Sequence, residues 1–247
     1  MTELTKTAPG LTGNQLKLIA LITMTIDHVG VYLLPQYTIL RLIGRLSLPI
    51  YAYLIAEGCR YTRSMGEYLG LVAFLGIGCQ IVYLVMMRSL YQCILITFSL
   101  SIGLIWTIRI AEKRKAWFFW LLPLAAVGAI WFLTKKLPAL GVAAVWFLAE
   151  RLPGMLPGFA IDYGFRGVLL PAIIYLGKDR KRAFLMTVLG LVLLSWGKPF
   201  QFYCLLSLPI LALYNGKRGT AKMKYLFYIY YPAHLVALYL LKKLLVG

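Results

Sequence analysis

Apolar runs follow one another along the chain with only brief polar interruptions, and most approach the roughly 20 residues that a helix needs to cross a hydrocarbon core. The pattern predicts helices near 16–34, 39–58, 68–87, 90–110, 116–134, 158–177, 183–197, 199–214 and 225–246. A shorter run, Pro138 to Ala149, is too brief to span and reads as re-entrant. The predicted fold is therefore all-α: a polytopic membrane bundle of nine transmembrane helices plus a re-entrant segment, or ten if that segment crosses. No internal repeat or long linker divides residues 1–247, which read as a single integral-membrane domain. The connections leave no room for a soluble catalytic domain, so any chemistry belongs inside the bundle or at its rims. No small-residue cleavage pattern follows the polar start, and the first run is read as an uncleaved helix.

Composition sharpens this picture. Of 247 residues 61% are hydrophobic, and the mean hydropathy of +0.79 is that of a membrane protein. The net charge of +18 would suggest nucleic acid in a soluble chain. Here its distribution matters more, and no nucleic-acid partner is expected. With a cytoplasmic N-terminus and nine spans, the clusters Arg60/Arg63, Arg109/Lys113/Arg114/Lys115, Lys178/Arg180/Lys181/Arg182 and Lys217/Arg218/Lys222/Lys224 all fall inside. Together with Lys6 and Lys17 they hold 16 of the 26 basic residues. Ten spans would erase that bias, so the positive-inside rule favours nine. Cys59, Cys79, Cys93 and Cys204 are scattered singly with no metal-ligand spacing, and they read as packing residues with no metal implied.

Ionisable residues inside the apolar runs are the chemical candidates, since each costs on the order of 3 kcal/mol to bury in lipid. The short turn at Pro35 makes the first two helices an antiparallel hairpin in which numbers at equal depth sum to about 73. His28 then lies level with Arg45, an Asp27–Arg45 ion pair is expected, and Arg41 sits one turn away on the same face. Glu57, Asp162 and Arg166 complete the set of acids and arginines. The chain's two histidines, His28 and His234, both fall near mid-membrane, about 18 Å and 14 Å into their helices at 1.5 Å per residue. Lys17, eleven residues before His28, projects from the same helix face about 16 Å away, at the rim. The loop Asn215-Gly216-Lys217-Arg218-Gly219 combines glycines with adjacent cations, a composition suited to phosphate.

The stretches LKLIALITMTIDHVG at 16–30, RLIGRLSLPIYAYLIAEG at 41–58, DYGFRGVLLP at 162–171 and NGKRGTAKMKYLFYIYYPAHL at 215–235 together resemble the TraX family. The Lys17-x10-His28 spacing is similar to the basic-x10-His pattern of acyltransferase-3 type transmembrane acyltransferases. The resemblance implies acetyl transfer, as in N-terminal acetylation of pilin, with acetyl-CoA as the donor and His28 as the transfer residue. Under that expectation Arg45 and Arg41 stabilise developing negative charge, Asp27 holds them, His234 assists, and Lys17, Lys217 and Arg218 receive the coenzyme A phosphates. The acceptor is expected to be a pilin-like peptide amine or a glycan hydroxyl, with membrane lipid as surroundings. A Gly66-x3-Gly70 pair leaves a homodimer open. Two other readings of the same residues are a proton-coupled transporter using the intramembrane His and Asp, and a non-catalytic assembly factor for an envelope or conjugation machine.

Overall fold

The computed structural model describes residues 10–114, 116–136, 159–220 and 224–246. The segment Pro138 to Ala149 lies outside them. Helix α1, Gly13–Tyr32, starts on a capping box: the Gln15 amide donates to Thr12 Oγ1 at 3.3 Å and the Thr12 amide to Gln15 Oε1 at 2.8 Å. Such a cap contributes about 1 kcal/mol. The amides of Gly13 and Asn14 donate to the carbonyls of Lys217 and Arg218 at 2.7 and 3.0 Å, so the loop before the last helix seals the start of the first.

Helices α2, Thr38–Gly44, and α3, Ser47–Tyr61, form one 24-residue apolar stretch with a break at Arg45 and Leu46. There the amides bond three residues back, Arg45 to Leu42 and Leu46 to Ile43. Pro49 supplies the cause, because it lacks the N–H that would satisfy the Arg45 carbonyl. The helix predicted as continuous over 39–58 therefore turns at its buried arginine.

The chain continues through α4, Met65–Met86, α5, Ile94–Arg114, and a 3-10 turn at Trp117–Trp120 leading into α6, Leu121–Lys135. Beyond residue 158 come α7, Gly164–Leu176, α8, Arg180–Ser195, a 3-10 helix Pro199–Ser207 running into α9, Leu208–Ala212, and α10, Lys224–Val246. Helix α1 packs on α2, α3 and α10, α4 on α5 and α10, and α7 on α3, α5 and α8. Leu16, Ile50, Ile102, Ile105, Leu170 and Ile174 fill the shared interior. The outer faces of α4 and α6 carry exposed Phe74, Ile77, Ile81, Val85, Trp131 and Phe132, so these helices are apolar inside and outside alike. All four cysteines are buried and unpaired in the packing.

Three predicted elements differ. The helices expected over 90–110 and 158–177 begin only at Ile94 and Gly164, because Gln92 and Ile161 form an isolated β-bridge, with the Gln92 amide on the Ala160 carbonyl at 2.8 Å and the Asp162 amide on the Gln92 carbonyl at 3.1 Å. Left-handed Tyr163 and Gly164, at φ 56° and 59°, then redirect the chain into α7. The run 199–214 is mostly 3-10 helix, as Pro209 removes one of the amides that an α-helix would use. Among the described residues four helices are long and apolar enough to cross a membrane: Thr38–Tyr61, Met65–Met86, Ile94–Arg114 and Trp117–Lys135. These fit a membrane protein, but length and apolarity do not reach the nine or ten spans expected. Helix α1 has the length and misses the apolarity, since it carries Lys17, Asp27 and His28.

The α1–α2 hairpin closes two to three residues short of the expected register, for a Cβ on Gly44 would lie 2.2 Å from Asp27 Cβ and one on Gly30 would lie 2.8 Å from Leu40 Cβ. Gly44→Ala must therefore push the hairpin apart and displace the Asp27 carboxylate, at a cost of about 1–3 kcal/mol. Thermal unfolding in detergent checks this, with Gly70→Ala, where a Cβ meets nothing within 4 Å, as the tolerated control.

The basic clusters meet at one end of the bundle. Arg60 donates to the carbonyls of Ile174 and Gly177, both at 2.5 Å, and Arg109 to those of Cys59 and Thr62 at 3.3 and 3.2 Å, so each caps the C-terminus of a helix. Lys178 reaches Glu112 at 3.6 Å and Arg180 the Ala212 carbonyl at 3.4 Å. Several of these cations are thus structural as well as topological.

Candidate functional site: a histidine pair between two cavities

Helix α10 packs against both α1 and α4, and two cavities open toward opposite ends of α1. The first, about 500 Å³, opens beside the basic end and is lined by Asn14, Lys17, Leu21 and Met24 of α1, Glu57 of α3, Tyr230 and Tyr231 of α10, and Tyr214, Gly216 and Arg218 of the sealing loop. The second, about 1060 Å³, lies at the opposite end and is lined by Asp27, His28 and Tyr32 of α1, Arg41 and Arg45, Tyr83 of α4, Tyr91, Asp162 and Tyr163, and Lys242 and Lys243 of α10. Along α1 the change from one to the other falls between Met24 and Asp27.

Two side-chain hydrogen bonds tie α1 to α10 at that level. Thr25 Oγ1 and the Tyr230 hydroxyl are 2.8 Å apart, and His28 Nδ1 lies 2.7 Å from His234 Nε2. The imidazoles are nearly parallel, Tyr230 stacks on His234 with centroids 5.3 Å apart, and Tyr231 meets it edge-on at 5.2 Å. His234 is 6% exposed, so its ring is fixed by packing on each side. The two histidines, which residue count places at similar depth, are in direct contact.

A backbone carbonyl sets the direction of this chain. His234 Nδ1 lies 3.0 Å from the carbonyl of Tyr230, which only accepts, so Nδ1 carries the proton. In the neutral ring Nε2 of His234 is then an acceptor, and it takes the Nδ1–H of His28. Nε2 of His28 is left with its lone pair, without a hydrogen-bond partner among the described residues, on a ring that lines the second cavity.

Asp27 points away from the histidine pair, as neighbours on a helix must. It accepts from Arg41 at 2.9 Å and from Arg45 at 3.4 Å, so the expected ion pair forms but the closer partner is Arg41. Arg45 has further contacts: it donates to the Tyr163 hydroxyl at 3.1 Å, and its guanidinium lies 5.6 and 5.2 Å from the rings of Tyr163 and Phe200. Asp162 accepts a hydrogen bond from the Tyr91 hydroxyl, and Thr97 donates to its carbonyl at 2.9 Å. Tyr91 and Tyr163 were absent from the sequence-derived set. Each lies at an irregular point in an apolar run, and Asp-Tyr-Gly at 162–164 was the available signal. Arg166 is exposed and donates to the Trp196 carbonyl, away from the site.

Around the first cavity Lys17 and Arg218 converge on one mouth, whereas Lys217 does not line it. The Lys217 amide donates to Asn215 Oδ1 at 2.9 Å, and the carbonyls of residues 217 and 218 face α1. The loop thus presents a cation to the cavity, with its Lys217 amide engaged internally. Glu57 accepts from the Tyr214 hydroxyl at 2.6 Å beneath these charges. Lys17 and His28 share a helix face as expected, but they open on different cavities.

Comparison with known proteins follows the same segments. The model of the family described as TraX protein matches residues 12–242. The probable fimbrial assembly protein FimC, serogroup H1, of Dichelobacter nodosus is 26% identical over 254 aligned positions, which cover 91% of this chain and 93% of that protein. An uncharacterized protein of Rickettsia prowazekii is 53% identical over 38 residues, 15% of each chain. No solved structure matches. With its family model matched from the α1 cap into the last turns of α10, the chain belongs to the TraX family.

Proposed function

We propose that this protein is an integral-membrane acetyltransferase that carries an acetyl group from acetyl-CoA to an amine across the bacterial inner membrane. The observation that carries this reading is the hydrogen-bonded His28–His234 pair, which lies between two cavities at opposite ends of the bundle. By the positive-inside rule the end that gathers Arg60, Arg109, Lys178 and Arg180 is cytoplasmic. The first cavity then receives the donor, with Lys17 and Arg218 on its phosphates. The second receives the acceptor. Nine crossings accommodate this orientation.

In the reaction His28 Nε2 takes a proton from the acceptor amine as its nitrogen attacks the thioester carbonyl carbon. The N–C bond forms, the carbon–sulfur bond breaks, and the proton passes to the departing thiolate, giving amide and coenzyme A. Arg45 and Arg41, which line the same cavity as His28, stabilise the developing oxyanion, and Asp27 with Tyr163 holds them. His234 holds the tautomer of His28 and acts as a positioning residue. Acetylation of a pilin-like peptide amine agrees with the name of the Dichelobacter relative, which places that protein in fimbrial assembly.

A proton path is the second reading, since the same hydrogen-bond chain joins the two cavities. It requires no thioester, and one assay separates the two. Purified protein with acetyl-CoA and an acceptor peptide is expected to release free thiol in step with acetylated peptide. Arg218→Glu should raise the Kd for coenzyme A about tenfold or more at low salt, with Lys217→Glu much closer to wild type because its side chain lies off the cavity. Equal effects from both variants would remove the donor assignment.

A further inference from the structure

The second cavity is richer in cations than its chemistry as a base site requires. Asp27 is matched to Arg41 and Arg45, and Asp162 is held by Tyr91. Lys198, Lys242 and Lys243 also line it, giving five cations against two carboxylates among the described residues. Among the described residues these three lysines make no ion pair. Their side chains are exposed toward the cavity end, and Lys242 and Lys243 stand two to three turns beyond His234 on the same helix.

We propose that the second cavity is an acceptor subsite selective for a polypeptide amine that carries acidic side chains close to its reacting nitrogen, with Lys198, Lys242 and Lys243 as the specificity-determining residues. This rests on the acetyl-transfer reading. An excess of positive charge repels an incoming ammonium and favours the free amine, which is the nucleophilic form. An acceptor with a carboxylate beside the amine offsets that repulsion and gains an orientation, carboxylate toward the lysines and nitrogen toward His28. A volume of about 1060 Å³ lies at the upper end of the range for ligand sites, and so suits a peptide segment better than a small metabolite.

The test uses full-length protein in nanodiscs of zwitterionic lipid and three hexapeptides with a free N-terminal alanine that differ only in carrying Asp-Asp, Asn-Asn or Lys-Lys next. Fluorescence anisotropy of a C-terminally labelled peptide reads binding without turnover, and acetylated product reads kcat/KM. The Asp-Asp peptide is expected to bind and react about tenfold or more better than Asn-Asn, and Lys-Lys worst. The gap should narrow in high salt and collapse in Lys242→Gln/Lys243→Gln, a mild exchange at exposed positions that leaves the bundle core untouched. Equal binding of the acidic and amide peptides, or a preference unchanged in the double variant, overturns the proposal. A preference abolished by adding phosphatidylglycerol to the nanodiscs assigns the lysines to lipid headgroups and overturns it as well. If charge-selective binding is present while no peptide is acetylated and no thiol is released, the acetyl-transfer reading fails and the anion-selective subsite stands.

Discussion

Replacing His28 by alanine is expected to lower acetyl transfer by about 10²- to 10⁴-fold, the span that a positioned general base ordinarily supplies. Its Nδ1 is engaged by His234 at 2.7 Å, and its Nε2 has no partner among the described residues, so Nε2 is the nitrogen available to an amine. His28 is half-buried and lines a cavity, and the variant should keep its helical spectrum and most of its thermal stability. His234→Phe removes the acceptor that holds the tautomer and is expected to fall between wild type and His28→Ala. His234→Gln, which retains an acceptor oxygen, should recover part of that loss. A purely structural role for His234 would make phenylalanine, the better volume match for imidazole, the milder change. Initial rates of thiol release at saturating acetyl-CoA, read with the melting temperature of each variant, decide between these outcomes.

The second large effect falls on stability. Asp27→Ala is expected to destabilise the protein by about 3–5 kcal/mol, because it leaves two arginines in the bundle without their carboxylate. The two arginines respond differently. The Arg45 side chain is 7% exposed but retains the Tyr163 hydroxyl, the Arg41 carbonyl and two ring faces. That of Arg41 is 32% exposed, and among the described residues its hydrogen bond is to Asp27, so loss of the carboxylate leaves it unpaired at the cavity. Asp27→Ala combined with Arg41→Met should therefore recover more stability than Asp27→Ala with Arg45→Met, whose guanidinium is held by other groups. Thermal unfolding of the two double variants in one detergent measures the difference. Equal recovery would show that the carboxylate does not discriminate between the two arginines.

Much of this arrangement can be read from residue order. Hydrophobic runs locate the helices to within a few residues, and ionisable groups inside those runs mark Asp27, His28, Arg41, Arg45 and His234 before any geometry is known. Helical rise alone brings the two histidines to matching depth, because depth depends only on residue count. What residue order leaves open is rotation and register. The hairpin register slips by two to three residues because glycine at positions 30 and 44 allows α2 to approach α1 more closely than a generic turn suggests. Arg41 and Arg45 share Asp27 for the same reason.

Irregular backbone inside apolar runs is harder to anticipate. Residues 90–93 and 159–163 read as helix by hydropathy, yet they pair with each other and deliver Tyr91, Asp162 and Tyr163 to the second cavity. Apolar composition does not distinguish a helical amide, satisfied four residues away, from one satisfied by a distant strand. The division of the site into two cavities was likewise hidden: Lys17 and His28 share a helical face, and the contacts that separate them come from Tyr230 and His234, more than 200 positions later.

The central claim, that acetyl donor and acceptor meet from opposite sides at the His28–His234 pair, has a direct measurement. Protein is reconstituted in sealed vesicles with one orientation, radiolabelled acetyl-CoA is supplied only at the face bearing Lys17 and Arg218, and a membrane-impermeant acceptor peptide only at the face bearing Lys242 and Lys243. Label appearing on the peptide, and absent with His28→Ala, is the predicted result. Labelling that occurs only when donor and acceptor share one face would contradict it.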